Sequence, residues 1–473
     1  MIGRQHERAI MDRLLSKNSA ELLAILGRRR VGKTYLVRHH YKDNLAFEFT
    51  GTQHADADNQ LEKFRVKLSE LVKREIPKLS SWSEAFSQLK LFLSKRRKKN
   101  KPVIFFDELP WIAGRKSNFL QEFAYWWNDW ANKQNIIVVI CGSAASWMIE
   151  KVVNQKGGLH NRITQLINLK PFTLAEVQIY YSSRNIRLDT YQIIQTYMAI
   201  GGIPHYLDKI SQGESASRII NRLLLNKEGI LRTEFDNLYH ALFEKAERHI
   251  SIIEALATKW EGLTRNEIAQ MTGLSNGGGL TKIITELKAA TFITEILPYG
   301  KKKKDAIYRL VDEYSLFYMH FIKGKRAGKR EVLSTQNQSY QIWQGYAFEN
   351  ICIKHIKAIK MALGIPAVNT ETSSFRHKGT SDYPGIQIDL LIDRADRTIN
   401  LCEIKFYNDT YVITKEYANK LRQRRTSFTV LSKTKKNILT TMITTYGVAN
   451  NQYKLGNIDS EVGMEDLFLL DHF

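Results

Sequence analysis

Cysteine is scarce, with three in 473 residues: Cys141, Cys352 and Cys402. Their spacing gives neither a disulfide framework nor a metal-ligand set, and two sit in apolar strand-like runs. Three reduced core thiols in a cytoplasmic protein are therefore expected. Long apolar runs are missing too. The longest, "IIVVICGSAASWMI", is too short to span a bilayer, and the opening "MIGRQHERAI" has no apolar signal core. No internal repeat is found, and no low-complexity tract beyond short basic runs. Acid is the other shortage. Asp and Glu number 48 against 70 Lys and Arg, a formal charge of +22. That excess points to a polyanionic partner, most often nucleic acid, although solubility alone would also account for it. Its distribution is uneven: Ile296 to Arg330 holds ten Lys or Arg against three Asp or Glu.

What is present reads as several domains, since 473 residues exceed one core. Hydrophobic residues make up 43% and charged residues 25%, a soluble globular composition. "ELLAIL", "PVIFFDE" and "NIIVVICGS" are short apolar runs separated by helix-like stretches, the pattern of buried parallel strands in an α/β domain. After "LKPFTL" the pattern turns mostly helical to about Ala246.

"LLAILGRRRVGKTYLV" places G-x-x-x-x-G-K-T between an apolar strand and a helix, the context a P-loop needs. Gly27 and Gly32 allow the tight turn. The backbone N–H groups across Arg28, Arg29, Arg30 and Val31 face phosphate, Lys33 reaches the β- and γ-phosphates, and the Thr34 hydroxyl meets Mg²⁺. The three arginines could touch phosphate, face solvent or face DNA. "VIFFDELPW" ends a strand in Asp107, placed to hold the Mg²⁺ shell, followed by Glu108, placed to polarise an attacking water. ATP and Mg²⁺ are the expected cofactors.

Further on, "TRNE" at 264–267 matches a capping box. A second helix follows, with Leu280, Ile283, Ile284 and Leu287 on one face. Two strand-like runs then flank "GKKKK". Helix, turn, helix and basic hairpin is the layout of a winged helix. Thr281, Lys282 and Thr285 would enter a major groove, and Lys301, Lys302, Lys303 and Lys304 would meet phosphates. Protein docking or a lid role is the rival reading.

"GIQIDLLIDRADRTINLCEIKF" reads as a hairpin. Strand alternation puts Glu403 and Lys405 on one face, and pairing can bring Asp389 beside Glu403. Two close carboxylates repel unless a cation joins them, and Mg²⁺ is the natural choice. Lys405 would orient or help deprotonate a water, or stabilise phosphate charge. A solvated cross-strand ion pair is the bland alternative.

The order "IGRQHE", "GRRRVGKT", "FFDE", "GSAASWM", "LHNRITQLINLKPF", "GGIPHYL" resembles the AAA+-related archaeal-type ATPases of the STAND-like group. Members often end in a restriction-endonuclease-like domain of the PD-(D/E)XK type. The resemblance implies that Gly3 and Arg4 lie near the base or ribose, that Ser143 is a sensor near the γ-phosphate, and that Arg162 is a finger or sensor arginine. It gives D…E-x-K roles to Asp389, Glu403 and Lys405, with Ile388 where the motif name has proline. It also makes Glu349 the metal-binding acid of that domain's first helix. The expected organisation is a P-loop ATPase core (1–172), a helical lid (173–248), a winged helix (249–322), a basic linker (323–339) and a nuclease-like α/β domain (340–473). The function implied is an ATPase whose nucleotide state gates a Mg²⁺-dependent nuclease acting on DNA. The alternative is an ATPase switch with an inert nuclease-fold domain. A homo-oligomer or protein partner is left open.

Overall fold

The computed structural model describes residues 2–96, 100–114, 117–154, 159, 161–324, 337–379 and 385–470. The chain divides into two compact units, Met1–Pro171 and Phe172–Phe473.

The first unit is built on five parallel strands: β1 (Glu21–Leu26), β2 (Leu45–Thr50), β3 (Val103–Asp107), β4 (Ile137–Cys141) and β5 (Gln165–Asn168). Their order is β2-β3-β4-β1-β5. β1, β3 and β4 are buried at every position. Helices cover both faces of a parallel sheet, so its central strands read as unbroken apolar runs. One face packs on aromatic side chains: Phe47, Phe64, Phe86, Phe106, Phe119, Phe123, Trp82 and Trp126. Phe106 meets Phe119 and Phe123 edge-on, each with ring centroids 5.6 Å apart. This core fixes the C-terminal ends of β1, β3 and β4, where the phosphate motifs lie.

The second unit begins with helices. Leu174–Ser183 starts at a capping box in which Thr173 and Glu176 satisfy each other's backbone N–H. The predicted box at Thr264 and Glu267 also forms and starts helix Arg265–Thr272, which ends at Gly273 in the left-handed conformation. Helix Gly278–Ala289 buries Leu280, Ile283, Ile284 and Leu287, as its spacing requires. Three short antiparallel strands accompany these helices: β6 (Leu263–Thr264), β7 (Ile293–Ile296) and β8 (Ile307–Leu310), in the order β6-β8-β7.

The C-terminal part of this unit has a mixed sheet, β13-β12-β11-β10-β9. Its strands are β9 (Thr370–His377), β10 (Ile386–Arg394), β11 (Thr398–Lys405), β12 (Asn437–Thr444) and β13 (Ser460–Val462). β9, β10 and β11 form an antiparallel meander. Helix Lys415–Ser432 then carries the chain over to β12, parallel to β11. The two sheets of the unit touch: Pro298 bridges Ser374 of β9, and the Tyr299 N–H donates to the Ser374 carbonyl at 2.7 Å.

The sequence reads as one helix from Tyr340 to Leu363, but the structure has two, Gln338–Lys354 and Ile356–Ala362. The break is His355. Its Nε2 accepts the Leu174 N–H at 3.0 Å while its Nδ1 lies 2.8 Å from the Ile351 carbonyl. Because Nε2 accepts, Nδ1 carries the proton and the imidazole is neutral. Most of the basic linker, 325–336, lies outside the described residues. All three cysteines are buried free thiols. No described helix is long and apolar enough to cross a membrane.

Candidate functional site

Where β1 ends, the chain turns sharply. Gly27 has φ 145°, and a Cβ there would lie 2.4 Å from the Leu169 carbonyl oxygen, so only glycine fits. Gly32 has φ 93° and precedes helix Lys33–His40. Lys33 is buried, with Nζ donating to the carbonyls of Gly27 (2.9 Å) and Arg28 (3.1 Å). The loop therefore carries a fixed ammonium at its centre and a helix N-terminus at its end, an arrangement suited to polyphosphate. Arg4 is buried and donates to the Val31 carbonyl at 3.2 Å, which ties the segment containing Gly3 to the loop. The three loop arginines differ: Arg28 is buried, whereas Arg29 and Arg30 are half-buried.

The strand ends beside the loop supply the acids. Thr34 Oγ1 donates to Asp107 Oδ2 at 2.8 Å. The other oxygen, Asp107 Oδ1, accepts the Glu108 N–H at 3.0 Å and the Cys141 thiol at 2.8 Å. Burial, and then the Asp107 charge, push the Cys141 thiol well up, so it stays protonated and donates. Glu108 adopts φ 50°, a left-handed conformation that costs on the order of 1–3 kcal/mol in a non-glycine residue. Its Oε2 accepts from the Ser143 N–H (3.1 Å) and the Ser143 hydroxyl (2.8 Å). Arg162 is exposed in a turn, its N–H bonded to the Leu159 carbonyl. A hydroxyl and a carboxylate oxygen meeting at the loop are hard donors. They fit a Mg²⁺ that takes its remaining ligands from phosphate and water.

The second cluster lies on the C-terminal sheet. Leu390 pairs with Cys402 and Leu391 with Leu401. The described pairing ends at Leu390, where β10 shifts register against β9 between Ile388 and Leu391; continued by one residue it would bring Asp389 beside Glu403. Gln387 Nε2 donates to Asp389 Oδ1 at 2.8 Å. Glu403 receives Lys405 Nζ at 2.8 Å and the Tyr417 hydroxyl at 2.5 Å, and it pairs with Arg424. Burial opposes its ionisation, but Lys405 and Arg424 outweigh burial and hold the carboxyl below its ordinary value. Lys405 is pushed up: burial works against its charge, and Glu403 overcomes that.

Glu349 stands differently. It is held by Arg309 of β8, 2.9 Å away, and both side chains are largely buried. Burial, and then the charge of Asp389, push its carboxyl up to about 7 despite Arg309. Asp389 therefore acts on Glu349 through its field. Among the described residues, however, no group of three or more His, Cys, Asp or Glu is arranged to hold a metal. Arg424 lies in the basic run "KLRQRR" at 420–425, which reads from the sequence as holding a phosphate backbone or facing water. Arg309 and Tyr417 were not singled out; Arg309 sits within the basic window, and the stripe Tyr417–Leu421–Arg424, at i, i+4 and i+7, is the pattern that could have found Tyr417.

In the helix–hairpin module, Thr281, Lys282 and Thr285 are all exposed. The Thr281 hydroxyl receives Arg265 Nη1 at 2.6 Å, Thr285 bonds back to the Thr281 carbonyl at 2.8 Å, and Lys282 lies 3.9 Å from Glu286. Lys301 to Lys304 are exposed at the hairpin tip. The same module packs on the following helix: Trp260 stacks on Tyr346 with centroids 4.6 Å apart, and Asn350 donates to the Leu310 carbonyl at 3.1 Å.

Residues 2–210 match the family described as an ATPase domain predominantly from Archaea. The chain is 23% identical over 413 residues to the uncharacterized protein MJECL04 of Methanocaldococcus jannaschii, which covers 86% of this chain and 87% of the relative. Among solved structures it is similar to the Walker-type ATPase PABY2304 of Pyrococcus abyssi, with a TM-score of 0.50 and 18% identity. That match covers 67% of this chain and 96% of the other. The likeness concerns the fold: an α/β, parallel-sheet P-loop architecture.

Proposed function

We propose that the chain is a nucleotide-driven DNA-processing protein. In this reading residues 2–210 bind and hydrolyse ATP, residues 249–322 form a DNA-binding winged helix, and residues 340–473 form a nuclease-like domain whose cutting is gated by nucleotide state. The observation that supports the nuclease part is the β10–β11 hairpin register, Leu390 with Cys402 and Leu391 with Leu401, which continued by one residue would bring Asp389 beside Glu403, with Lys405 on the same strand face.

At the phosphate loop, Lys33 and the N–H groups of the helix start would neutralise the triphosphate, and Thr34 with Asp107 would hold Mg²⁺. Glu108, gripped by Ser143, would orient the attacking water. At the hairpin, Asp389 and Glu403 would hold a divalent cation, which when bound supplies charge neutralisation at the phosphodiester. Lys405, beside Glu403, would orient or help deprotonate a water, or stabilise phosphate charge.

The test is incubation of plasmid, linear and single-stranded DNA with Mg²⁺ or Mn²⁺ and ATP. Wild type is expected to cut, and Asp389→Ala and Lys405→Ala to lose cutting. Equal survival of all DNA with wild type and both variants removes the nuclease assignment. One observation favours a second reading. The Glu403 oxygens are already taken by Arg424, Lys405 and Tyr417, as they would be in an ATPase switch whose C-terminal domain binds without cutting. Nucleotide-dependent DNA binding, with no cleavage under either metal, would identify that case.

A further inference from the structure

Between Lys405 and Arg425 the sequence holds four aromatic residues and six Lys or Arg, against two Asp or Glu. The structure arranges part of this stretch into a row. The Tyr407 ring meets Tyr411 edge-on, with centroids 6.0 Å apart, and Tyr411 meets Tyr417 at 5.6 Å. Lys405 Nζ lies 5.5 Å from the Tyr417 ring, and the Tyr417 hydroxyl reaches Glu403. The row thus runs from solvent, where Tyr407 is 49% exposed, to the carboxylate that Lys405 and Arg424 flank.

The backbone under these rings is pinned. The Tyr407 N–H donates to Thr445 Oγ1 at 3.1 Å, and the Thr445 hydroxyl contacts the Tyr407 carbonyl. The Tyr411 N–H donates to the Gly447 carbonyl at 2.9 Å, and its carbonyl accepts the Ala449 N–H at 2.9 Å. Tyr411 and Tyr417 also pack on the cluster of Ile413, Leu421 and Met442, which explains their burial. Tyr407 does not belong to that cluster, so core packing gives no reason for a large apolar ring there.

We infer that Tyr407, Tyr411 and Tyr417 form a stacking platform for an unpaired nucleic-acid strand, led by Lys405 and Arg424 to the Glu403 site. Aromatic rings beside basic side chains are the recognition chemistry of single strands. Every base offers a face to stack on, whereas paired bases in a duplex are already stacked on one another. A ring on a fixed backbone loses little freedom when a base lands on it. The inference deepens the proposed function by naming the form of the substrate. The binding it predicts needs no metal.

The experiment uses the full chain in EDTA at low salt. Fluorescence anisotropy is read with labelled oligothymidylate, oligouridylate and a duplex of equal length. Tyr407→Ala is expected to weaken binding of at least one single strand by about ten-fold, the scale of losing one stacked base. Duplex affinity should stay within two-fold of wild type, and Tyr407→Trp should keep single-strand affinity. An unchanged thermal midpoint for Tyr407→Ala assures that the fold is intact. The inference is overturned if Tyr407→Ala binds single strands as wild type does, or if it loses single-strand and duplex binding equally. Because no cleavage is measured, an uncut substrate in the metal assay leaves this result standing. A failure here leaves the cleavage assay standing.

Discussion

The two carboxylate-bearing sites are built in opposite ways. At the phosphate loop the acids have neutral partners: Thr34 and Cys141 serve Asp107, and Ser143 serves Glu108. The buried ammonium there, Lys33, bonds to backbone carbonyls. At the hairpin the acids already face cations: Glu403 has Lys405 and Arg424, and Glu349 has Arg309. The first site keeps its negative charge available for Mg²⁺ and its positive charge for phosphate. The second has its charges largely matched within the protein, so an incoming cation or phosphate must compete with side chains already in place. That difference predicts a ready nucleotide site and a C-terminal site that responds to whatever loosens its ion pairs.

The comparison can be broken most directly at Lys33. Lys33→Ala removes the ammonium from the loop, and steady-state ATP turnover should fall by about 10²–10³-fold, the usual cost of deleting one preorganised charge donor. Retained turnover would mean that the loop is not the hydrolytic site. A second expectation concerns Arg309. Arg309→Ala removes the partner of a buried acid, and breaking such a pair costs up to about 3–5 kcal/mol. The raised pKa of Glu349 lets it take up a proton, so the loss should be smaller in acid than at neutral pH. Chemical denaturation at pH 5.5 and 8 would measure this. Arg309→Met with Glu349→Leu should recover most of the stability.

His355 sharpens the contrast through pH. Burial lowers its pKa to about 4, against 6.5 when unfolded. The fold therefore keeps it neutral while the unfolded chain takes up a proton. Its contribution is fully present above about pH 6.5 and is lost as pH falls toward 4. Glu349 works the other way, stabilising at low pH and losing that contribution as pH rises from 4.5 to about 7. The thermal midpoint of His355→Gln, which can still accept the Leu174 N–H, should fall less steeply below pH 6.5 than that of wild type. The smallest effect is expected at the hairpin tip. Replacing Lys301–Lys304 by Ala should leave ATP turnover alone. It should flatten the salt dependence of duplex binding by roughly 0.9 in log–log slope for each phosphate no longer neutralised.

These contrasts also explain what the sequence could disclose. The loop from Gly27 to Thr34 is contiguous, and its chemistry follows from spacing alone. Asp107 was legible because it ends an apolar strand whose place in a parallel sheet is set by its neighbours, whereas a role for Ser143, two residues beyond β4, came only from the resemblance. The capping box at Thr264 and the buried face of Gly278–Ala289 were equally local. The β10–β11 hairpin, and Lys405 beside Glu403, were legible from strand alternation. That Arg424 would pair with Glu403 and Arg309 with Glu349 was not. Arg424 is 21 residues from Glu403, and Arg309 is 40 from Glu349. Such pairings depend on how elements pack, which side-chain periodicity does not encode. The break at His355 was invisible for the same reason: its cause is a backbone N–H at Leu174, 181 residues away.

The hairpin that bears Lys301–Lys304 also covers the outer margin of β9 at Ser374 through Pro298 and Tyr299. A free margin invites another chain to add a strand, and at Ser374 the molecule's own chain occupies it. The three-stranded and five-stranded sheets consequently share a mechanical seam. Force or denaturant applied to one should be felt by the other, and amide protons around Ser374 and Tyr299 should exchange together rather than in two separate openings.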